Sequence, residues 1–210
     1  MIQYGLISET DAVVLEKTID LVCSGFPNKI LNYCEIGLYN GRTTNGVFEY
    51  MKLKQRHCRA TGIDNFKDKE ELRFIPQNTT VIRGNSNEVY NQIEDNSQHL
   101  IFVDGCHCFA HVISDFFCYA PKVKVGGYLA FHDTGKHIKP LKDFQHGDEK
   151  NPDAYISVRK ALNKIGLCMD SFPLEDNFVV DKWYDEWELI FDEADETNEA
   201  GGIAVFKKLY

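Results

Sequence analysis

The stretch Ile30-Leu31-Asn32-Tyr33-Cys34-Glu35-Ile36-Gly37-Leu38-Tyr39-Asn40-Gly41-Arg42-Thr43 decides the fold. An apolar run leads into an acid and a glycine, a second glycine follows, and a helical rhythm starts at Thr43. This reads as a short buried strand, a glycine turn and the start of a helix. Gly37 and Gly41 permit positive φ and let a ligand approach the backbone closely. Glu35 stands at the carboxyl end of the strand with no apolar reason to be there. Ligands of open α/β sheets bind at such strand ends.

Working outward, Ser8-Glu9-Thr10-Asp11 has the pattern of a helix start, with Ser8 as N-cap and Asp11 at the third position. Val14, Leu15, Ile19, Leu21 and Val22 continue it until Gly25-Phe26-Pro27. Downstream, a helix over Thr43–Lys54 is followed by a second strand, His57 to Asp64. Asn65 to Ile75 reads as a charged helix. Thr79–Arg83 is a third strand closing in Gly84-Asn85-Ser86, and Asn87–Ile93 a further helix. His99–Val103 is fully apolar, hence central, and ends in Asp104-Gly105-Cys106-His107. A helix runs from Ala110 to Pro121. Gly126-Gly127 then make a turn into a fifth strand that ends in His132-Asp133. Ile156–Ile165 is helical, and Trp187–Phe191 and Gly202–Phe206 are strand candidates joined by an acidic linker. The order predicts an α/β fold: a Rossmann-like, doubly wound, mostly parallel seven-stranded sheet with an antiparallel C-terminal hairpin. One domain spans 1–210, with an N-terminal helical extension over 1–29 and an active-site loop over 134–153, where polar, aperiodic sequence suggests function.

A chain of 210 residues needs no covalent staples to bury a core. With 23 basic and 32 acidic residues, its net charge of −9 argues against nucleic-acid backbones as partners. No apolar run approaches a membrane span. Seven cysteines without a Cys-x-x-Cys pair, and a start lacking a basic region followed by an apolar core, predict reduced thiols and a cytoplasmic location.

Four of five strands thus deliver an acid to one sheet edge. Glu35, Asp64, Asn85, Asp104, His107, His132 and Asp133 should gather there. Asp64 reads as a ribose-binding acid or as a turn aspartate, and Asn85-Ser86 as a purine contact or a helix cap. The first turn lacks both the G-x-G-x-x-G of dinucleotide enzymes and the G-K-[ST] of a phosphate loop. A cofactor with a cationic end suits an acidic turn better than a pyrophosphate does.

The series E-I-G-x-x-x-G-R-T, G-I-D, F-V-D-G-x-H-x-F-x-x-V-x-x-D and P-x-x-x-x-G-G-Y-x-x-x-H-D, over roughly Ile30 to Asp133, resembles class I S-adenosylmethionine-dependent methyltransferases. The nearest group is the small-molecule, sugar O-methyltransferase-like branch of the Methyltransferase 24 type. The resemblance implies that Glu35, Gly37, Asn40, Gly41, Arg42 and Thr43 hold the methionine moiety. It puts Asp64 at the ribose, Asn85 and Ser86 by the adenine, and Asp104 near the methyl donor and acceptor. In metal-dependent members, acids matching Asp104 and the pair at 132–133 bind Mg²⁺. Asp133 matches and His132 departs, which points to another divalent metal or to none. With metal, Asp104 or His107 takes the acceptor's proton; without it, His107 or His132 does. The expected reaction is methyl transfer to a hydroxyl of a small molecule, plausibly a sugar. The alternatives are a NAD-type oxidoreductase or epimerase and a non-catalytic cofactor-binding module. Neither nucleic acid nor membrane is expected as a partner, and self-association is left open.

Two further clusters have blander readings. Cys106-His107-Cys108 with His111 holds zinc-ligand residue types, but at tighter spacing than usual and with no second pair, so no zinc site is expected. Trp183, Tyr184 and Trp187 read as core or hairpin residues, or as a stacking surface for a sugar.

Overall fold

The computed structural model describes residues 2, 4–5, 7–66, 72–135, 158–167, 185–193 and 201–210. Helix α1 (Glu9–Gly25) begins as the sequence predicts. The Asp11 amide donates to Ser8 Oγ at 3.1 Å, and the Ser8 amide donates back to Asp11 Oδ2 at 3.3 Å. This reciprocal cap satisfies two amides that a helix start leaves unpaired. Strands β1 (Leu31–Ile36), β2 (Cys58–Asp64), β3 (Thr79–Arg83), β4 (Gln98–Val103) and β5 (Val123–His132) are connected through α2 (Arg42–Leu53), α3 (Ser86–Val89) and α4 (Phe109–Tyr119). Helix α5 (Val158–Lys164) and strands β6 (Trp187–Glu193) and β7 (Ile203–Lys208) complete the described elements.

The seven strands form one sheet in the order β3-β2-β1-β4-β5-β7-β6. β1 to β5 are parallel, and β7 lies between β5 and β6, antiparallel to both. The chain winds from β1 outward to β3, then returns to the other side of β1 as β4. That reversal opens a crevice at the carboxyl ends of β1 and β4, where ligands of such sheets bind.

Alternation along each strand divides the core into two layers. Leu31, Tyr33, Leu100, Phe102, Tyr128 and Ala130 meet Leu15 and Ile19 of α1 and Val47 and Met51 of α2. Cys34, Ile36, Ile101, Val103, Leu129 and Phe131 meet Val112 and Phe116 of α4 and Ala161 and Leu162 of α5. Each large aliphatic or aromatic side chain so buried contributes roughly 1.5–3 kcal/mol. The expected N-terminal extension therefore closes one face of the sheet, against β4 to β7.

Three local expectations are corrected. The helix expected over Asn87–Ile93 is one α turn followed by a 3₁₀ turn at Tyr90–Gln92. Gly126-Gly127 do not precede β5 but lie inside it, at a register shift opposite Gln98–Leu100. A glycine with φ of 78° at Gly126 and a side-chain-free Gly127 against the His99 carbonyl make that irregularity feasible. Of the charged helix expected over 65–75, residues 67–71 lie outside the described residues, and Asn65, Phe66 and 72–75 are not helical. Trp187 is core, edge-on to Phe116 at 6.0 Å, while Trp183 and Tyr184 lie outside the described residues.

Arg56 closes the far end of α1. Its guanidinium donates to the carbonyls of Cys23 at 2.9 Å and of Phe26 and Lys29 at 2.8 Å. Replacing Arg56 by Met is expected to lower unfolding free energy by roughly 1–3 kcal/mol, since these part-buried acceptors lose a charged donor. The check is chemical denaturation beside Arg59→Met, an exposed position expected to change stability by less than about 0.5 kcal/mol.

Candidate active site

The glycine turn stands at the end of β1. Gly37 has φ of 88°, and a Cβ there would overlap the Asp104 carbonyl. The Asp104 amide donates to the Ile36 carbonyl at 2.8 Å, so the two strand ends are bonded at the point where only glycine fits. Gly41, with φ of 84°, is the N-cap of α2 and abuts Ile75. Asp64, half-buried at the end of β2, fastens the turn: Tyr39 and Phe66 each donate a backbone N–H to one of its oxygens at 2.7 Å. The Asn40 side chain accepts from the Arg42 amide at 3.2 Å, and the exposed Arg42 guanidinium lies over the Phe74 ring at 4.4 Å.

Glu35 and Thr43 lie beneath this surface. Glu35 is 1% exposed and accepts from Tyr33 at 3.0 Å and Thr44 at 2.5 Å. Burial, opposed by those hydroxyls and reinforced by the charge of Asp104, raises its carboxyl to about 8. Thr43 donates to the Tyr4 carbonyl at 2.8 Å. Both side chains brace the turn from below. Asn85 takes a 3.3 Å bond from Asn65, whereas the Ser86 hydroxyl is held by the buried Asp115 of α4 at 2.5 Å.

Beside the turn, the ends of β4 and β5 deliver the remaining candidates to one place. His107 Nδ1 is 2.9 Å from Asp133 Oδ2, and its Nε2 is 3.3 Å from Asp104 Oδ1. His132 Nδ1 lies 3.1 Å from the same Asp104 oxygen and 3.4 Å from Asp133 Oδ1. One ligand-capable atom from each of Asp104, His107, His132 and Asp133 falls within 4.8 Å of the others. Asp133 has φ of 55°, the left-handed conformation that turns its carboxylate back toward His107.

A fifth member comes from the other end of the chain. His132 Nε2 is 3.2 Å from Asp11 Oδ2, the same oxygen that caps α1. Sequence reading found Asp11 only as a capping residue; no local signal links it to a histidine so distant in the chain. With both ring nitrogens facing carboxylates, which accept only, His132 is an imidazolium. Burial opposes that charge, but Asp104, Asp11 and Asp133 outweigh it and hold its pKa well above the usual histidine value. Burial likewise opposes His107, yet Asp104 and Asp133 push it up to about 9. For Asp104, burial disfavours the carboxylate, but His132 and His107 hold it well below the usual range.

The donor set suits the groups that the sequence implies. The acidic edge matches a sulfonium and an ammonium. Each Asp64 oxygen retains a lone pair beyond its amide bond, enough for ribose hydroxyls. His107 Nε2 and Asp11 Oδ1 are buried without hydrogen-bond partners. Two carboxylates and two imidazoles, each ring exchanging a proton for the metal, fit a borderline divalent ion such as Mn²⁺ better than Mg²⁺, which prefers oxygen alone. Further from the cluster, Arg159 of α5 holds the segment after β5. It donates to the Thr134 carbonyl at 2.7 Å and to Asp192 of β6 at 3.1 and 2.6 Å.

Known proteins share this fold. Residues 34–134 match a family model described as a methyltransferase domain. No curated protein matches the chain by sequence. Among solved structures, a candidate caffeoyl-CoA O-methyltransferase from Staphylococcus aureus superposes with a TM-score of 0.64 at 14% identity, covering 98% of this chain and 86% of that one. An O-methyltransferase from Bacillus cereus bound to S-adenosylhomocysteine gives 0.59 at 12%, covering 99% and 84%. The MycE methyltransferase of the mycinamycin pathway, with Mg and S-adenosylhomocysteine, gives 0.52 at 17%, covering 90% of this chain but 48% of that one. At such identities the structural likeness shows a shared fold. Together with the family match it marks residues 34–134 as a methyltransferase domain on a Rossmann-like methyltransferase fold.

The buried Glu35 leads to a pH-dependent expectation. Its folded pKa lies above the unfolded value, so the folded state binds the extra proton and stability falls as pH rises from about 4.5 toward 8. Glu35→Gln keeps the shape without the charge. Thermal melts of the two proteins are expected to coincide near pH 5, with the variant melting higher by several degrees near pH 9. Parallel curves would contradict an uncharged Glu35 beneath the turn.

Proposed function

We propose that this enzyme methylates a hydroxyl oxygen of a small molecule, a sugar or sugar-bearing metabolite, at the crevice between the ends of β1, β4 and β5. One observation carries the reading: the convergence of Asp104, His107, His132 and Asp133 beside the glycine turn. A sugar acceptor draws support from relatives of the same fold, including CalS11, a TDP-rhamnose 3′-O-methyltransferase with a TM-score of 0.54 at 14% identity.

Bound S-adenosylmethionine supplies an electrophilic methyl group on a cationic sulfur. The backbone of Gly37, Asn40, Gly41 and Arg42 receives its methionine end, with Glu35 and Thr43 fixing the turn from below. Asp64 takes the ribose hydroxyls, and Asn85 faces the adenine while Ser86 anchors that loop to α4. A divalent metal held by Asp104, Asp133 and a His132 that gives up its proton on binding would supply Lewis acidity at the acceptor oxygen, leaving His107 as the base. Asp104 orients the acceptor hydroxyl for in-line attack, in which the C–S bonding pair returns to sulfur.

The hydroxyl proton passes to His107 in its neutral form. Nδ1 of that ring is engaged by Asp133, which leaves Nε2 as the atom facing the reaction. Its basicity is raised by two carboxylates. An acceptor or cation taken up by Asp104 withdraws one of them and brings His107 toward the range where a base works best. Without metal, His132, charged and wedged between Asp11 and Asp104, is a positioning residue and takes no further proton.

The test combines calorimetry with turnover. S-adenosylhomocysteine is expected to bind with micromolar affinity, NAD not to bind, and Asp64→Ala to weaken binding by at least about tenfold, as loss of hydrogen bonds to two hydroxyls implies. Labelled methyl transfer to nucleotide sugars and glycosides, with and without Mn²⁺, is expected to fall by roughly 10²–10⁴-fold in His107→Ala, with S-adenosylhomocysteine affinity retained. Binding without transfer to any acceptor would favour the non-catalytic module, and NAD binding would favour the oxidoreductase.

A further inference from the structure

The loop after β4 carries a second cluster that the methyl-transfer site does not use. Cys106, His107 and Cys108 alternate in direction. His107 turns toward Asp104 and Asp133, while the flanking sulfurs face one another at 2.9 Å on the other side. Cys108 is the N-cap of α4 and makes no side-chain cap bond. One turn into the helix, His111 brings Nδ1 to 2.8 Å from the Cys108 sulfur. The two sulfurs and one His111 ring nitrogen all lie within 4.8 Å of one another. The spacing argument against a metal thus fails here: it presumes two ligand pairs, whereas an extended Cys-x-Cys step followed by a helical i, i+3 step converges three ligands by itself.

We propose that Cys106, Cys108 and His111 bind a thiophilic metal ion of the Zn²⁺ or Cu⁺ class, at a site separate from the carboxylate–imidazole cluster. Two thiolates and an imidazole select soft or borderline ions over Mg²⁺ or Ca²⁺. Bonds of about 2.3 Å to sulfur and about 2.0 Å to nitrogen require the sulfur–sulfur pair and the Cys108–His111 pair each to spread by less than roughly 1 Å. Cys106 and His111 are partly exposed, which gives the ion a way in and leaves its fourth position to water or a small ligand. Binding exchanges the two thiol protons for the metal. The two sulfur ligands flank His107, so the ion stiffens the peptide that carries the proposed base.

The full chain, reduced and stripped of metal with a chelator, would be titrated with Co²⁺ and followed by absorption. Sulfur-to-cobalt charge transfer distinguishes this cluster from the neighbouring one, which has no sulfur. The expected result is a near-ultraviolet thiolate band with tetrahedral visible bands, both suppressed by added Zn²⁺. Cys106→Ser and Cys108→Ser should each abolish the thiolate band, and His111→Ala should weaken Zn²⁺ competition by at least about tenfold. Cys118→Ser, elsewhere on α4, and Asp133→Ala should keep it. Circular dichroism would confirm that each variant is folded, and S-adenosylhomocysteine binding would be followed in parallel, so that loss of this site is distinguished from loss of the cofactor site. No thiolate band in the folded chain, an unchanged band in the Cys106 and Cys108 variants, or conversion of the pair to a disulfide that takes up no metal would overturn the proposal.

Discussion

The hydrogen that stands where Gly37 would otherwise carry a Cβ lets the ends of β1 and β4 meet. The Asp104 carbonyl occupies the space that any side chain would need, and the Asp104 amide is bonded to Ile36. β1 and β4 are the strands between which the winding reverses, so this contact sits at the sheet's natural binding crevice. It fixes the backbone of Asp104, and through Asp104 the depth at which the histidines gather. Asp64 fastens the same turn from the β2 side, and Glu35 and Thr44 brace it from below. The glycine turn is thereby a wall of the crevice.

The second constraint is electrostatic. Asp11, Asp104 and Asp133 surround two imidazoles in a largely buried space, and the imidazoles take protons because the carboxylates demand it. A buried ion pair is held together by hydrogen bonds as much as by attraction, since desolvation offsets much of the Coulomb gain. Here His132 joins α1, β4 and β5 in one network, which ties the start of the N-terminal helix to the carboxyl ends of the strands. Its charge keeps Asp104 ionised, so that the carboxylate remains available to an acceptor or a cation. His107, between Asp104 and Asp133, is the ring whose state a bound group can change.

The strands were legible because each is a short apolar run closed by an acid, and only a parallel sheet brings such acids to one edge. Gly37, Asp64, Asp104 and the His132-Asp133 pair could be placed at that edge from the sequence. What escaped was contact set by tertiary geometry. Asp11 reads as a cap because its bond to Ser8 is local, whereas its bond to His132 depends on how α1 lies across the sheet. Gly126-Gly127 resemble a turn because no local rule distinguishes a turn from a bulge inside a long strand. Glu35 was expected to meet a ligand, but alternation along β1 buries it on the layer shared with Tyr33. The convergence of Cys106, Cys108 and His111 is invisible to familiar spacings, which describe pairs of ligands rather than a strand-to-helix corner.

The most direct measurement of the central claim is a crystal structure of the full chain grown with S-adenosylhomocysteine. The account expects the sulfur over the ends of β1 and β4, facing Asp104 and His107, with the ribose hydroxyls on Asp64 and the amino-acid end along the Gly37–Arg42 turn. Density for the ligand at the amino edge of the sheet, or a turn that closes over Asp104 and leaves the crevice without it, would contradict the account.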